Sequence, residues 1–311
     1  MKSRCSRVMA LACGFVLTLS PAGPALAPAS AEDPVFVPWA DILPGLTMGY
    51  DPTSENICVR GDNACVDEVI REMQRRFKPL AKDCNHDVMF SFLYLRTTQE
   101  YRRAIQDPNY FSDNRFVNHE DAVFARFYFQ AYDNWHGGLR EQVPPAWRIA
   151  FSAADNKSVS GSGNLLLGMN AHINRDLPFV LAGIGMTKPD GTSRKPDHNK
   201  VNRILNSVAG PALAEAARRF DPSINDSSVD GTTLDETALL QLVVAWREKA
   251  WRNAELLVAA TTAEQRAQVA QGIEDAAAAE AEAIRASNAY APPLSSSAER
   301  DAWCALHWGD A

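Results

Sequence analysis

The sequence predicts an all-α fold, a single-domain multi-helix bundle with an irregular N-terminal arm. Three observations carry this reading. Apolar residues recur at spacings of three and four over most of the chain, and helix start and stop residues fall where those patterns begin and end. No stretch alternates apolar and polar residues well enough to require a sheet, and no internal repeat is visible.

Taken in order, residues 1–31 read as a signal peptide. Lys2, Arg4 and Arg7 form a basic start, and Val8 to Leu19 is an apolar run too short for a membrane span, which needs ~20 residues. Ala25-Leu26-Ala27 and Ala29-Ser30-Ala31 are small-x-small endings, and cleavage is expected after Ala31, ahead of the polar Glu32-Asp33-Pro34. Cys13 lies too early in the run for a lipoprotein site. Residues 32–64 hold Pro34, Pro38, Pro44, Gly45 and Pro52 without a sustained period, and are expected to form the arm.

The helical domain is expected over 65–290. Val66, Val69, Ile70, Met73, Phe77 and Leu80 mark a first helix at 65–82; Met89, Phe92, Leu93 and Leu95 mark a second at 86–106, stopped by Asp107-Pro108. Val123, Phe124, Phe127, Tyr128, Ala131 and Trp135 share a face of a third at 117–135, ended by Gly137-Gly138. Pro144-Pro145 opens a short fourth through Phe151. Ser160-Gly161-Ser162-Gly163 reads as a flexible loop, before a fifth helix at about 164–183 and a sixth at about 197–219. Thr233 with Glu236 and Thr261 with Glu264 read as capping boxes of two more, the second ending near Ser287. Residues 291–311 are expected to be a tail tied back by a disulfide.

Charge and cysteines narrow the setting. The formal charge of −7 becomes about −10 once Lys2, Arg4 and Arg7 leave with the signal, so nucleic acid is not an expected partner. No stretch after the signal is apolar enough to span a membrane; the nearest, 165–185, is interrupted by Asn170, His172, Asn174, Arg175 and Asp176. Cys58, Cys65, Cys84 and Cys304 remain, an even number that favours two disulfides with three possible pairings. Cys58–Cys65 with Cys84–Cys304 is favoured, because the first closes a small loop before a helix and the second secures a C-terminus that would fray. The expected location is secreted or extracytoplasmic.

The densest polar constellation is Gly168-Met169-Asn170-Ala171-His172-Ile173-Asn174-Arg175-Asp176-Leu177-Pro178. On a helix, His172 and Asp176 share one face and Asn170 and Asn174 another, inside an apolar run that must bury some of them. Pro178 cannot donate to the Asn174 carbonyl and is expected to kink the helix there. In Pro196-Asp197-His198-Asn199-Lys200-Val201-Asn202, His198 and Asn202 fall four apart and Asp197 is expected as an N-cap. Asn118-His119-Glu120-Asp121 is expected at the start of the third helix, where Glu120 and Asp121 suit the helix dipole. His136 is expected to interact with the C-terminal dipole of that helix; His86 and His307 read as structural or solvated. GxSxG, P-loop, dinucleotide and HExxH motifs are absent.

The central run, with the segments 118–121 and 197–202, resembles a mainly actinobacterial family known only as a domain of unknown function, over roughly residues 65–255. The resemblance implies a bacterial, helical protein and brings no reaction. The chain is also loosely similar to secreted zinc-dependent phospholipases, but lacks their tight histidine signature.

Two functions follow from the residues. One is a metal-assisted hydrolase of an ester or phosphoester acting on a small or lipid-like molecule. His172, Asp176 and His119 would be its catalytic groups, and Asn170, Asn174 and Asn202 would bind substrate. His172, Asp176 and His198 would hold a divalent metal such as zinc. The other is a non-catalytic helical binding or structural envelope protein in which the polar cluster secures the fold.

Overall fold

The computed structural model of the protein describes residues 45–224 and 236–310. The expected signal peptide and Thr233 lie outside these residues. Among them run ten α-helices: α1 (Asn63–Lys82), α2 (Val88–Ala104), α3 (Asn114–His136), α4 (Pro145–Asp155), α5 (Gly161–Asn170), α6 (Leu177–Ile184), α7 (Lys195–Arg219), α8 (Glu236–Ala259), α9 (Ala263–Ser287) and α10 (Ala298–His307). A π-helical segment, Ala171–Asp176, joins α5 to α6. The only β contacts among the described residues are two isolated bridges, Val159 with Ala289 and Thr187 with Ser193. The fold is all-α, as its periodicity predicts.

The helices begin where a side chain or a proline can satisfy the first turn, and three of these starts differ from expectation. Asp113 caps α3 by accepting from the Phe116 N–H, so that helix starts at Asn114, ahead of 117. Ser160 caps α5 by accepting from the Gly163 N–H, which puts Gly161 and Gly163 in a buried first helical turn, where a flexible loop was expected. The capping box of α9 is Thr262 with Gln265, one residue beyond Thr261 and Glu264; Thr261 donates to Gln265 from outside the helix. α4 starts at Pro145 and runs past Phe151 to Asp155, and the tail carries a further helix, α10, whose first turn holds Glu299 and Asp301.

Residues 45–62 form a non-helical arm held by local turns, and Gly61 there takes a positive φ of 73° hard against the Arg115 backbone. The two disulfides are Cys58–Cys65 and Cys84–Cys304. The first ties the arm to α1. The second, spanning 220 residues, ties α10 to the turn after α1.

The rod α5–π–α6 is the centre of the molecule, packed against α2, α3, α4, α8 and α9. Its residues from Gly163 to Leu181 are all buried. At Gly168 a side-chain carbon would come within 2.5 Å of Phe90, so glycine is what lets α5 lie this close to α2. No described helix is long and apolar enough to cross a membrane.

Candidate functional site

The π-helical segment inserts one residue into the turn, shifting which side chains face which neighbour. The Leu177 N–H bonds the His172 carbonyl, five residues back, just before Pro178 enters the first turn of α6. The proline therefore follows a change of helical register, where a kink was expected.

His172 and Asp176 meet inside this segment, with Nδ1 of the imidazole 3.0 Å from Oδ2 of the carboxylate. Asp176 is fully buried and also accepts from Trp147 Nε1 at 2.9 Å and Arg175 Nη1 at 3.0 Å; Arg175 in turn donates to Glu274 on α9. Three donors around one carboxylate assign the His172 proton to Nδ1 and leave Nε2 as an acceptor. Burial lowers the His172 pKa below its ordinary value, against the opposing pull of Asp176, so the ring is neutral near pH 7. Phe124 stacks on it at 3.6 Å with 8° between the planes, which fixes its orientation.

Nε2 has no hydrogen-bond partner in the protein, and His172 borders a cavity of about 140 Å³. The cavity is walled by α2, α3, the central rod, α7 and α8, and is mostly apolar, with Phe124, Ile173, Leu205 and Leu240 in its lining. Two more polar atoms on the lining residues lack a partner: the Tyr94 hydroxyl and Asp121 Oδ2. Glu120, Arg247, Tyr101, Thr97 and Thr98 are the other polar residues of the lining. Both acidic residues are half-buried and line the cavity. Burial pushes each up to about 7, Asp121 with help from Glu120 and Glu120 against the pull of Arg247 and Arg194. Burial likewise pulls Arg247 down to about 10.

The other residues singled out from the sequence lie elsewhere. His119 is fully buried at the arm, its ring nitrogens 3.0 Å from the Cys58 carbonyl and 2.9 Å from the Met48 carbonyl, so a carbonyl faces each nitrogen and the ring's one N–H donates to one of them. His198 is engaged by Arg247 through both ring nitrogens, at 3.3 Å each. Asn202 accepts from Arg247 Nε at 2.8 Å and so holds that guanidinium. Asn170 and Asn174 bond one another, and Asn170 also donates to the Ala277 carbonyl on α9, away from the cavity. Asp197 accepts from the Ser112 N–H and hydroxyl, pinning the segment before α3 to α7; it does not cap its own helix. His136 lies 3.2 Å from Asp87, His86 is buried between Arg300 and Asp301, and His307 pairs with Asp310.

The expected metal set therefore does not converge. Among the described residues no three His, Cys, Asp or Glu side chains form a group that could hold a metal ion. The guanidinium beside His198 would also oppose a second cation there.

Tyr94, Arg247 and the true position of Glu120 and Asp121 were missed by sequence reasoning. A signal was present: Val117, Glu120, Asp121 and Phe124 recur at threes and fours, so the two acids interrupt an apolar stripe. With α3 starting at Asn114 they also lie beyond the reach of the helix dipole.

No curated protein and no solved structure matches the chain. The model of DUF5995, a family of unknown function, matches residues 66–287, and by that match the chain belongs to this family.

Proposed function

We propose that the cavity binds an apolar small molecule and that His172, held by Asp176, acts there as a general base in the hydrolysis of an ester. The observation that carries this reading is the unpartnered Nε2 of a buried, neutral imidazole whose other nitrogen is bound to a fully buried carboxylate. A buried acceptor without a partner costs free energy, and service as a base beside a cavity is a use that would offset it. His172 would take a proton from water as its oxygen attacks the ester carbonyl, then return that proton to the departing alkoxide. The products are a carboxylic acid and an alcohol, and the ring ends as it began.

The ester half of the expected substrate class fits better than the phosphoester half. Glu120 and Asp121 would repel a phosphate dianion, whereas an ester is neutral and suits an apolar wall. We also infer that the protein works outside the cytoplasm, where its two disulfides persist.

Hydrolysis of p-nitrophenyl butyrate by wild type and His172→Asn tests the catalytic step. A general base contributes about 10²–10⁴-fold, so the variant should lose at least a hundredfold in kcat with little change in KM. Equal rates in the two proteins across a series of acyl lengths would refute it and leave the cavity as a binding site.

A further inference from the structure

The polar atoms of the cavity lining that lack a partner can all accept a hydrogen bond. His172 Nε2 accepts, because its proton lies on Nδ1; Asp121 Oδ2 accepts; and the Tyr94 hydroxyl can accept while donating to either. Tyr94 and His172 are only 8% and 2% exposed, and each of the three atoms has almost no accessible surface of its own. The donor groups of Arg247 are turned largely away, Nε to Asn202 and Nη2 to the His198 carbonyl. A ligand that satisfies these atoms must bring hydrogen-bond donors into the cavity.

Charge leads to the same requirement. With both carboxyls ionised, the cavity lining holds Glu120, Asp121 and one cation, Arg247, whose field acts on Glu120. One negative charge stays uncompensated, and it is on Asp121. The rings of Tyr94 and Tyr101, which feel the Asp121 charge, and of Phe124 line the same cavity, and aromatic rings favour an organic cation. The remaining lining, including Leu205, Val208 and Leu240, suits a hydrocarbon tail. Cavities of comparable size, about 150 Å³, take benzene-sized molecules.

We propose that the cavity is selective for a small alkylamine bound as its ammonium ion, with the nitrogen among Asp121, Tyr94 and His172 and the chain along the α7–α8 side. The inference shares the cavity with the hydrolytic reading but not its chemistry, since a simple amine has no bond to cleave. It would make the natural ligand an amphiphile with a cationic end. Binding the ammonium should also drive a proton off Asp121, so affinity should rise between about pH 6 and pH 8. The titratable and charged groups facing that position are Glu120, Tyr94, Tyr101, His172 and Arg247, with Arg194 and Asp197 acting on Glu120 from the start of α7.

Titration calorimetry of the intact protein with hexylamine, hexanol and hexanoate at about pH 8 is the test, because the three share a chain and differ in charge. Hexylamine should bind at least tenfold more tightly than hexanol, and hexanoate most weakly. Asp121→Asn should abolish the preference for the amine, and Tyr94→Phe should weaken it severalfold without lowering the melting temperature. Saturable hexanol or hexanoate binding as tight as that of hexylamine would overturn the proposal, as would no binding of hexylamine at all or an amine preference that survives in Asp121→Asn. Ester hydrolysis lost in His172→Asn alongside any of these results would leave the hydrolytic reading standing alone. Amine selectivity without esterase activity would do the reverse.

Discussion

Two buried histidines, His119 under the arm and His172 in the central rod, have almost the same burial and opposite wiring. His119 is fully buried and has a backbone carbonyl on each ring nitrogen. His172 is 2% exposed and has a carboxylate on one nitrogen and no protein partner on the other. His86 and His198 follow His119, with both nitrogens engaged. Burial lowers all four pKa values, so the shift alone does not separate them. What separates them is the unused nitrogen and the cavity it borders. A histidine that closes its hydrogen bonds holds structure together; one left open at a cavity is available to a ligand.

Breaking the closed side should do the greater harm to stability. His119→Ala removes the one imidazole N–H that the Met48 or Cys58 carbonyl accepts, at about 1–3 kcal/mol for the group left unsatisfied, together with the packing of a fully buried ring beside Tyr50, so a loss of about 3 kcal/mol is expected. The arm should then exchange its amide hydrogens faster while ligand binding in the cavity persists. His172→Asn can still donate to Asp176 and should cost about 1–2 kcal/mol, mostly through the lost stacking on Phe124. Urea melts of both variants decide it. A larger loss at 172 than at 119 would reverse the assignment of roles.

The acidic wall offers a pH-dependent version of the same comparison. Asp121 has a folded pKa near 7 against an ordinary 3.8, so between these values the folded protein keeps a proton that the unfolded chain has released. Stability therefore falls as pH rises through that window, and the full penalty is present above about pH 7. Asp121→Asn removes it and should stabilise the protein at about pH 8 by about 2 kcal/mol, with little effect near pH 4. His86 works from the other end: its folded value near 4 lies below the ordinary 6.5, so its contribution is lost as pH falls between them. Equal stability of wild type and Asp121→Asn at both pH values would mean that Asp121 is not held in an unfavourable charged state.

Much of this was legible in the sequence, and the misreadings have local physical causes. The period of α1 and the face shared by His172 and Asp176 follow from residue spacing, and the favoured disulfide pairing is the one formed. The apolar pattern puts the start of α3 late because Asp113, its actual cap, lies before that pattern begins. That displacement turned Glu120 and Asp121 into apparent dipole residues and hid the acidic wall. Pro178 signalled a break but not its kind, since a proline can be accommodated by a kink or by a π turn ahead of it. Asn170, Asn174, His198 and Asn202 are polar in a buried setting, and composition cannot say whether a partner is already supplied by α8 or α9. The helix α10 was read as tail because its ten residues follow a proline- and serine-containing stretch.

The smallest expected effect is also the most discriminating, because it compares two residues of one type on one helix. Tyr94 and Tyr101 both lie on α2, both border the cavity, and both are more than nine-tenths buried. The Tyr101 hydroxyl donates to Asn118 Oδ1 at 2.6 Å, and Asn118 also donates to the Gly61 carbonyl, so this tyrosine belongs to the structure around the arm. The Tyr94 hydroxyl has no partner. Tyr101→Phe should therefore cost about 1–1.5 kcal/mol, the net worth of a buried hydrogen bond with its acceptor stranded. Tyr94→Phe removes a hydroxyl whose burial is uncompensated, and should leave stability unchanged or raise it by about 0.5 kcal/mol. Thermal melts of the two variants should thus move in different directions. A loss at Tyr94 matching that at Tyr101 would show that its hydroxyl is satisfied within the fold, and the contrast between closed and open polar groups would fail at the position where it is easiest to measure.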